Sequence, residues 1–200
     1  MSHVFFWVLS VISVCAFLLA APPYIVDTLK GKTKPERATW FIWSVLGVIA
    51  FIAQMQLGAT WSLLFTGLDT AGCVLAFMLS LRYGVGGWTM LDKIALGIAA
   101  AGVAVSMLVH APIVALLGVI AADASGSFLT IRKAFLMPDS ETTISWLLVS
   151  VGALCSILLV RSQDVSLMLY PAYLLVANAG VVVAQAFGKR YGMKRLRQTI

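Results

Sequence analysis

Long apolar stretches separated by short polar ones run through this chain from end to end. Seven can be drawn: Val4–Ala21, Ala38–Leu57, Trp61–Leu81, Ile94–Val109, Pro112–Ile131, Ile144–Val160 and Val165–Phe187. A helix needs roughly 20 mostly apolar residues to cross the hydrocarbon of a bilayer, and each stretch comes close to that. None alternates polar with apolar, so the pattern predicts helices rather than the strands of a barrel. The expected fold class is an all-α membrane protein with seven transmembrane helices.

Composition agrees. Apolar residues are 61% of the chain and charged residues 11%, against about 45–50% and about 25% in an ordinary globular domain. That leaves too little polar surface to cover a soluble particle. A cytosolic enzyme, a disordered tail and a secreted disulfide scaffold are excluded. Cys15, Cys73 and Cys155 lie inside apolar runs and read as small core residues, not as a metal or disulfide framework. The first run reads as a retained helix. Met1-Ser2-His3 carries no Lys or Arg and a basic segment follows the run, the reverse of an export signal.

The net charge of +6 would suit nucleic acid, but its distribution has another explanation. Place the N-terminus outside. Lys30, Lys32, Lys34, Arg37, Arg82, Lys93, Arg132, Lys133, Lys189, Arg190, Lys194, Arg195 and Arg197 then all fall inside, and of the 14 basic residues only Arg161 is left out, beside Asp164. This is the positive-inside pattern. It predicts a multi-pass protein of the inner cell membrane, N-terminus outside and C-terminus cytoplasmic, with no nucleic-acid partner. The cluster from Lys189 to Arg197 reads as an inner-face anchor at lipid heads.

The sequence also repeats. Pro35, Glu36, Thr39 and Trp43 match Pro138, Asp139, Thr142 and Trp146 at an offset of 103. Ala71-Gly72, Val74, Ala76 and Arg82-Tyr83-Gly84 match Ala179-Gly180, Val182, Ala184 and Arg190-Tyr191-Gly192 at an offset of 108. Ile94–Val109 has no repeat partner. A single extra helix is what restores orientation between two units of three, so the plan is 3+1+3. The expected division is residues 1–91 for the first repeat with its inner loop, 92–110 for the linker helix, 111–188 for the second repeat and 189–200 for a basic cytoplasmic tail.

Pro22-Pro23 leads into the basic segment Lys30-Gly31-Lys32-Thr33-Lys34, and Gly126-Ser127-Phe128-Leu129-Thr130 leads into Arg132-Lys133. With the 3+1+3 duplication, this resembles the SWEET sugar transporters and the wider PQ-loop family, although the Pro-Gln that names that family is not present. The resemblance implies two parallel three-helix repeats and a solute site at mid-depth between them. In SWEETs an asparagine three residues before a glycine contacts sugar. Asp69 stands three before Gly72, and Asn178 stands two before Gly180.

Polar residues deep in the runs are the candidate chemistry. Of eight acidic residues, only Asp69 and Asp123 lie well inside a stretch. An Asp at the centre of a spanning helix costs about 2.5–3.5 kcal/mol, and such residues face an interior or a wet cavity. Thr66, Asp69, Thr70 and Cys73 share one helix face; Asp123, Ser127 and Thr130 share another; Pro171, Asn178 and Gln185 line up on a third. The plain alternative is interhelical glue worth about 0.6–2 kcal/mol per contact. The expected substrate-binding set is Asp69, Thr66, Thr70, Asn178, Asp123 and Ser127. Pro22, Pro23 and Pro171 are expected hinges. Trp43 and Trp146, the repeat-matched pair, suit an interfacial belt first, with a gate or pocket wall as the second reading.

The resulting expectation is a carrier for a small polar solute, sugar-like or amino-acid- or vitamin-like, working by alternating access with or without proton coupling. The alternative is a non-transporting receptor or scaffold on the same fold. No Ser/His pair, HEXXH or cysteine with a buried histidine argues for an enzyme, and no metal or cofactor is expected. The expected partners are the bilayer and the solute, with monomer and homo-oligomer both open.

Overall fold

The structure is a computed structural model and describes residues 3–56, 61–87, 89–108, 112–160 and 165–198. Among these residues there are seven α-helices: α1 (His3–Leu29), α2 (Arg37–Gln56), α3 (Trp61–Tyr83), α4 (Met90–Leu108), α5 (Pro112–Leu136), α6 (Thr143–Leu159) and α7 (Val165–Gln198). A 3-10 turn, Pro138–Ser140, precedes α6. The described residues contain no β-strand, only a single parallel bridge between Glu36 and Val85. Two stretches are long and apolar enough to cross a membrane, His3–Leu29 and Met168–Tyr191; Arg37–Ile52 and Thr143–Leu159 are shorter apolar helical stretches.

Three helices run well past the ends of the apolar stretches that predict them. α1 continues past Ala21 to Leu29, α5 past Ile131 to Leu136, and α7 past Phe187 to Gln198. Apolarity marks what hydrocarbon tolerates, whereas a helix continues until its carbonyl ladder is capped. The helix in α1 carries on through Pro22 and Pro23. It stops at Gly31, whose φ of 70° is the left-handed conformation of a helix C-cap. There the Lys32 and Thr33 amides donate back to the Asp27 carbonyl at 2.9 and 3.1 Å.

The chain divides into two packing units, Met1–Thr33 with Ile131–Ile200, and Lys34–Thr130. In the first, α1 packs on α6 and α6 on α7. α1 buries Leu9, Ser13, Ala16, Ala20, Tyr24 and Thr28, a stripe repeating every three or four residues. The Ser13 hydroxyl donates to the Gly152 carbonyl at 3.0 Å. Tyr24 meets Trp146 edge to face, with ring centroids 5.9 Å apart.

In the second unit α2 packs on α3 and α4, and the core gathers Ala38, Ile42, Ala95, Ala99, Ala122 and Leu129. α4 and α5 touch backbone to backbone, because a Cβ on Gly102 would collide with the Gly118 carbonyl. Gly102→Ala is therefore expected to destabilise the protein by about 1–3 kcal/mol, the usual cost of overpacking, read as a lower midpoint of thermal unfolding in detergent. At one end of this unit the Arg37 guanidinium collects the carbonyls of Ser80 (3.0 Å), Gly84 (2.7 Å) and Gly86 (2.8 Å), closing the C-terminus of α3. Asp92 Oδ2 accepts the Gly87 and Thr89 amides, both at 2.8 Å, and caps α4.

One pair of contacts recurs in both units. In the second, the Thr130 hydroxyl of α5 donates to the Thr39 hydroxyl of α2 at 3.0 Å. In the first, the Thr142 hydroxyl before α6 donates to Asp27 Oδ2 of α1 at 3.1 Å. Adding 103 to 27 and 39 gives 130 and 142. Linear order and packing order therefore differ: α1 joins α6 and α7, while α2 and α3 take α5.

Candidate functional site

Asp69 lies four, seven and eleven residues before Cys73, Ala76 and Ser80. Ala76 and Ser80 are buried, and Cys73 is half-buried, so this is the inward stripe of α3. The outward stripe is Leu68, Ala71, Leu75, Met78 and Arg82, all exposed. Asp69 is itself exposed, although it stands on the inward stripe.

Contacts along α2 fix the level of the other polar groups. Gly47 of α2 faces Thr70, since a Cβ there would lie 2.8 Å from the Thr70 hydroxyl oxygen. Phe41 packs on Phe77 with centroids 5.4 Å apart, so α2 and α3 run antiparallel. On its other side α2 meets α5: the Thr39 hydroxyl donates to the Gly126 carbonyl at 2.7 Å, and a Cβ on Gly126 would lie 3.3 Å from Trp43 Nε1. Three residues of α-helix rise about 4.5 Å. Asp123, three before Gly126, thus comes level with the Trp43–Gly47 stretch of α2, as do Thr70 and Cys73. The two deep acids of the sequence, Asp69 and Asp123, fall in one packing unit.

Asp123 is 9% exposed and accepts a long hydrogen bond, 3.4 Å, from the Ser127 hydroxyl one turn on. Thr70 is 8% exposed, and its hydroxyl has no hydrogen-bond partner. The Thr66 side chain lies outside the described residues, as do His110, Arg161 and Asp164. Asn178 belongs to the other packing unit, where its amide nitrogen donates to the Leu174 carbonyl at 2.7 Å. The offset of 108 makes Thr70, not Asp69, its repeat counterpart. Pro22 is exposed, Pro23 and Pro171 are half-buried, and all three lie inside continuous helices.

Trp146 has a specific partner. It is buried, and its indole N–H donates to Glu141 Oε2 at 2.8 Å. Glu141 also forms an ion pair with Lys133, and both side chains are buried. The Gln185 amide donates to the Glu141 carbonyl at 3.0 Å and the Pro138 carbonyl at 3.1 Å. Glu141 reads in the sequence as a loop residue and Lys133 as a topology charge, so this cluster is not anticipated there. The one available signal is their spacing of eight, which brackets a turn short enough to fold the two charges together. Glu36 is likewise buried; its Oε2 accepts the Thr39 amide at 2.7 Å as an N-terminal cap of α2.

Comparison with protein-family models, with curated proteins and with solved structures gives no match. Among the described residues no group of three or more His, Cys, Asp or Glu side chains is placed to hold a metal ion.

Proposed function

We propose that this protein is a multi-pass membrane carrier for a small polar solute, with seven spanning helices arranged as two three-helix repeats and a linker. The observation that carries the reading is Asp69, an exposed acid on the inward stripe of α3, in the same packing unit as a second deep acid, Asp123 of α5. A purely structural polar pair would be sealed and mutually satisfied. An exposed acid in an otherwise apolar bundle is instead read as a solute contact.

The distribution of side chains supports the bilayer. Buried positions are rich in Ala, Ser and Thr, whereas Val4, Trp7, Leu19, Met78, Leu108 and Val176 are exposed. Water would not tolerate so extensive an apolar exterior, and small buried residues are how helices approach one another in lipid. The recurrence of the Thr39–Thr130 contact as Thr142–Asp27 supports the duplication. The likeness to SWEET and PQ-loop carriers supports alternating access. No basic residue stands between Ala38 and Leu81 or between Ile94 and Ile131 to receive an anionic peptide end, which favours a carrier over a cargo receptor.

Topology is tested by labelling in a background without the native cysteines. With the N-terminus outside and the C-terminus cytoplasmic, a Cys at Ser162 should react with an impermeant maleimide on intact cells. A Cys at the exposed Lys32 should react only after permeabilisation. The reverse pattern removes the orientation. Transport itself is tested by solute-screened uptake into proteoliposomes; absence of flux for sugars, amino acids and vitamins alike would leave the receptor reading.

A further inference from the structure

The C-terminal end of α5 and the matching stretch of α7 lie in one packing unit. A Cβ on Gly180 would lie 3.2 Å from Ile131 Cδ1, and one on Gly188 would collide with the Phe135 carbonyl, so the two helices run side by side in the same direction. Val181, Ala184, Gln185 and Gly188 form the buried stripe of α7; Val183, Phe187, Arg190 and Tyr191 form its exposed stripe. On α5, Lys133 and Ala134 are buried, while Arg132, Phe135 and Leu136 are exposed. The two exposed stripes meet where Phe135 packs on Tyr191, with ring centroids 5.9 Å apart.

Charge at this end is unbalanced. Lys133 is paired with Glu141, and both side chains are buried. Asp139, the exposed acid of the 3-10 turn, pairs with Lys189 at 3.3 Å. Arg132 and Arg190 form no ion pair with a described residue. No acid follows Asp164 in the sequence to offset them. With Gly188 level with Phe135, Arg132 and Arg190 stand about 7–8 Å apart along the helix axes, within the span of two arginine side chains closing on one phosphate. Arg190 and Tyr191 match Arg82 and Tyr83 at the offset of 108, but Arg132 matches Leu29 at 103. The second arginine is therefore not part of the duplicated pattern.

We propose that the exposed face formed by the C-terminal end of α5 and the adjoining stretch of α7 docks one anionic phospholipid, with Arg132 and Arg190 on its phosphate and its acyl chains along Phe187 and Val183. A guanidinium meets a phosphate with two parallel N–H donors. Within one turn, from Arg190 to Phe187, the exposed stripe of α7 changes from cationic to apolar. Its occupant is therefore anionic at one end and apolar over the rest, and a soluble polyanion meets only the first half of that description. The basic tail draws the whole leaflet diffusely, at about 1 kcal/mol per Lys or Arg. Two arginines flanking an aromatic pair make a single defined place within it. Lys189 ties this face to the 3-10 turn through Asp139, and Gln185, one turn earlier, holds the Pro138 and Glu141 carbonyls. A docked phosphate braces α5 and α7 where α6 begins. The inference rests on the membrane part of the proposed function and not on transport.

The test uses the purified full-length chain in a neutral detergent. Thermal unfolding is followed as phosphatidylglycerol is titrated into the micelles, with phosphatidylcholine as the zwitterionic reference and sn-glycerol 3-phosphate as the headgroup without chains. A saturable rise in midpoint with phosphatidylglycerol alone is expected, because a ligand that binds only the folded state stabilises it. Arg132→Gln and Arg190→Gln should each raise the half-saturating mole fraction about tenfold, a loss of about 1.4 kcal/mol. Lys93→Gln, the same charge loss at an exposed residue of the other packing unit, should leave it unchanged. A flat response to phosphatidylglycerol, an equal rise with phosphatidylcholine, an equal loss in Lys93→Gln, or a rise that survives in the Arg132→Gln/Arg190→Gln double variant overturns the proposal. So does an equal rise with glycerol phosphate, which would assign a soluble phosphate instead. Proteoliposome flux separates the two readings. Flux from a protein with a flat lipid response removes this site and keeps the carrier, while saturable lipid binding without flux of any solute keeps the site and removes the carrier.

Discussion

Lys133→Met is expected to destabilise the protein by about 3–5 kcal/mol, because it strands a buried carboxylate. In the native structure Glu141 is satisfied on every side. Its Oε1 pairs with Lys133, its Oε2 accepts the Trp146 indole, and its backbone carbonyl accepts Gln185. Removing the ammonium leaves an anion in a place where the side chain has no exposed surface. Attraction between the two charges does not make the pair a net gain, since desolvating both costs a comparable amount. The double variant Lys133→Met/Glu141→Gln should therefore recover to within about 1 kcal/mol of the native chain. Glutamine keeps an acceptor for Trp146, which leucine would not. Equilibrium unfolding in mixed micelles reads both values. A single variant as stable as the native protein would mean that Glu141 reaches water.

This cluster marks the limit of what the sequence discloses. Apolar run length is a local property, and the seven runs correspond to seven helices, with α3, α5 and α7 beginning at the first residue of their runs. Helix ends are set by capping, so α1 reaches Leu29 through two prolines and α7 extends into the basic segment, neither of which hydropathy registers. Pairing is less legible still. Glu141 sits between a 3-10 turn and a helix, where a charge is ordinarily solvated; only the fold shows Lys133 closing over it. The same holds for the deep acids. Their depth in Trp61–Leu81 and Pro112–Ile131 marks Asp69 and Asp123 out individually, but their falling in one packing unit depends on α5 packing with α2 rather than with the helices that follow it. The Thr39–Thr130 and Thr142–Asp27 contacts explain that exchange, and their offset of 103 is written in the sequence without being recognisable as a contact.

Asp69→Asn should reduce uptake of the transported solute about 10- to 100-fold while leaving the fold intact. Asn is close to Asp in shape, and the substitution removes an ionisable group from a helix whose central charge costs about 2.5–3.5 kcal/mol to insert. Stability should stay level or rise. The lost interaction is a hydrogen bond to a charged group, worth about 1.5–3 kcal/mol, which sets the range of the decrease. Asp69 is open and Asp123 is buried, so the two acids should differ in kind. Solute binding should weaken with Asp69→Asn, whereas Asp123→Asn should slow exchange more than it weakens binding. If coupling to protons runs through the same carboxylate, the Asp69→Asn protein should also lose the pH dependence of uptake. Asp123 and Cys73, the other titratable side chains deep in the apolar stretches of α3 and α5, are both retained in that variant. Counterflow separates binding from translocation, because exchange of bound solute continues when only coupling is lost. Normal uptake by the Asp69→Asn protein at every pH would make Asp69 a structural residue and withdraw the site.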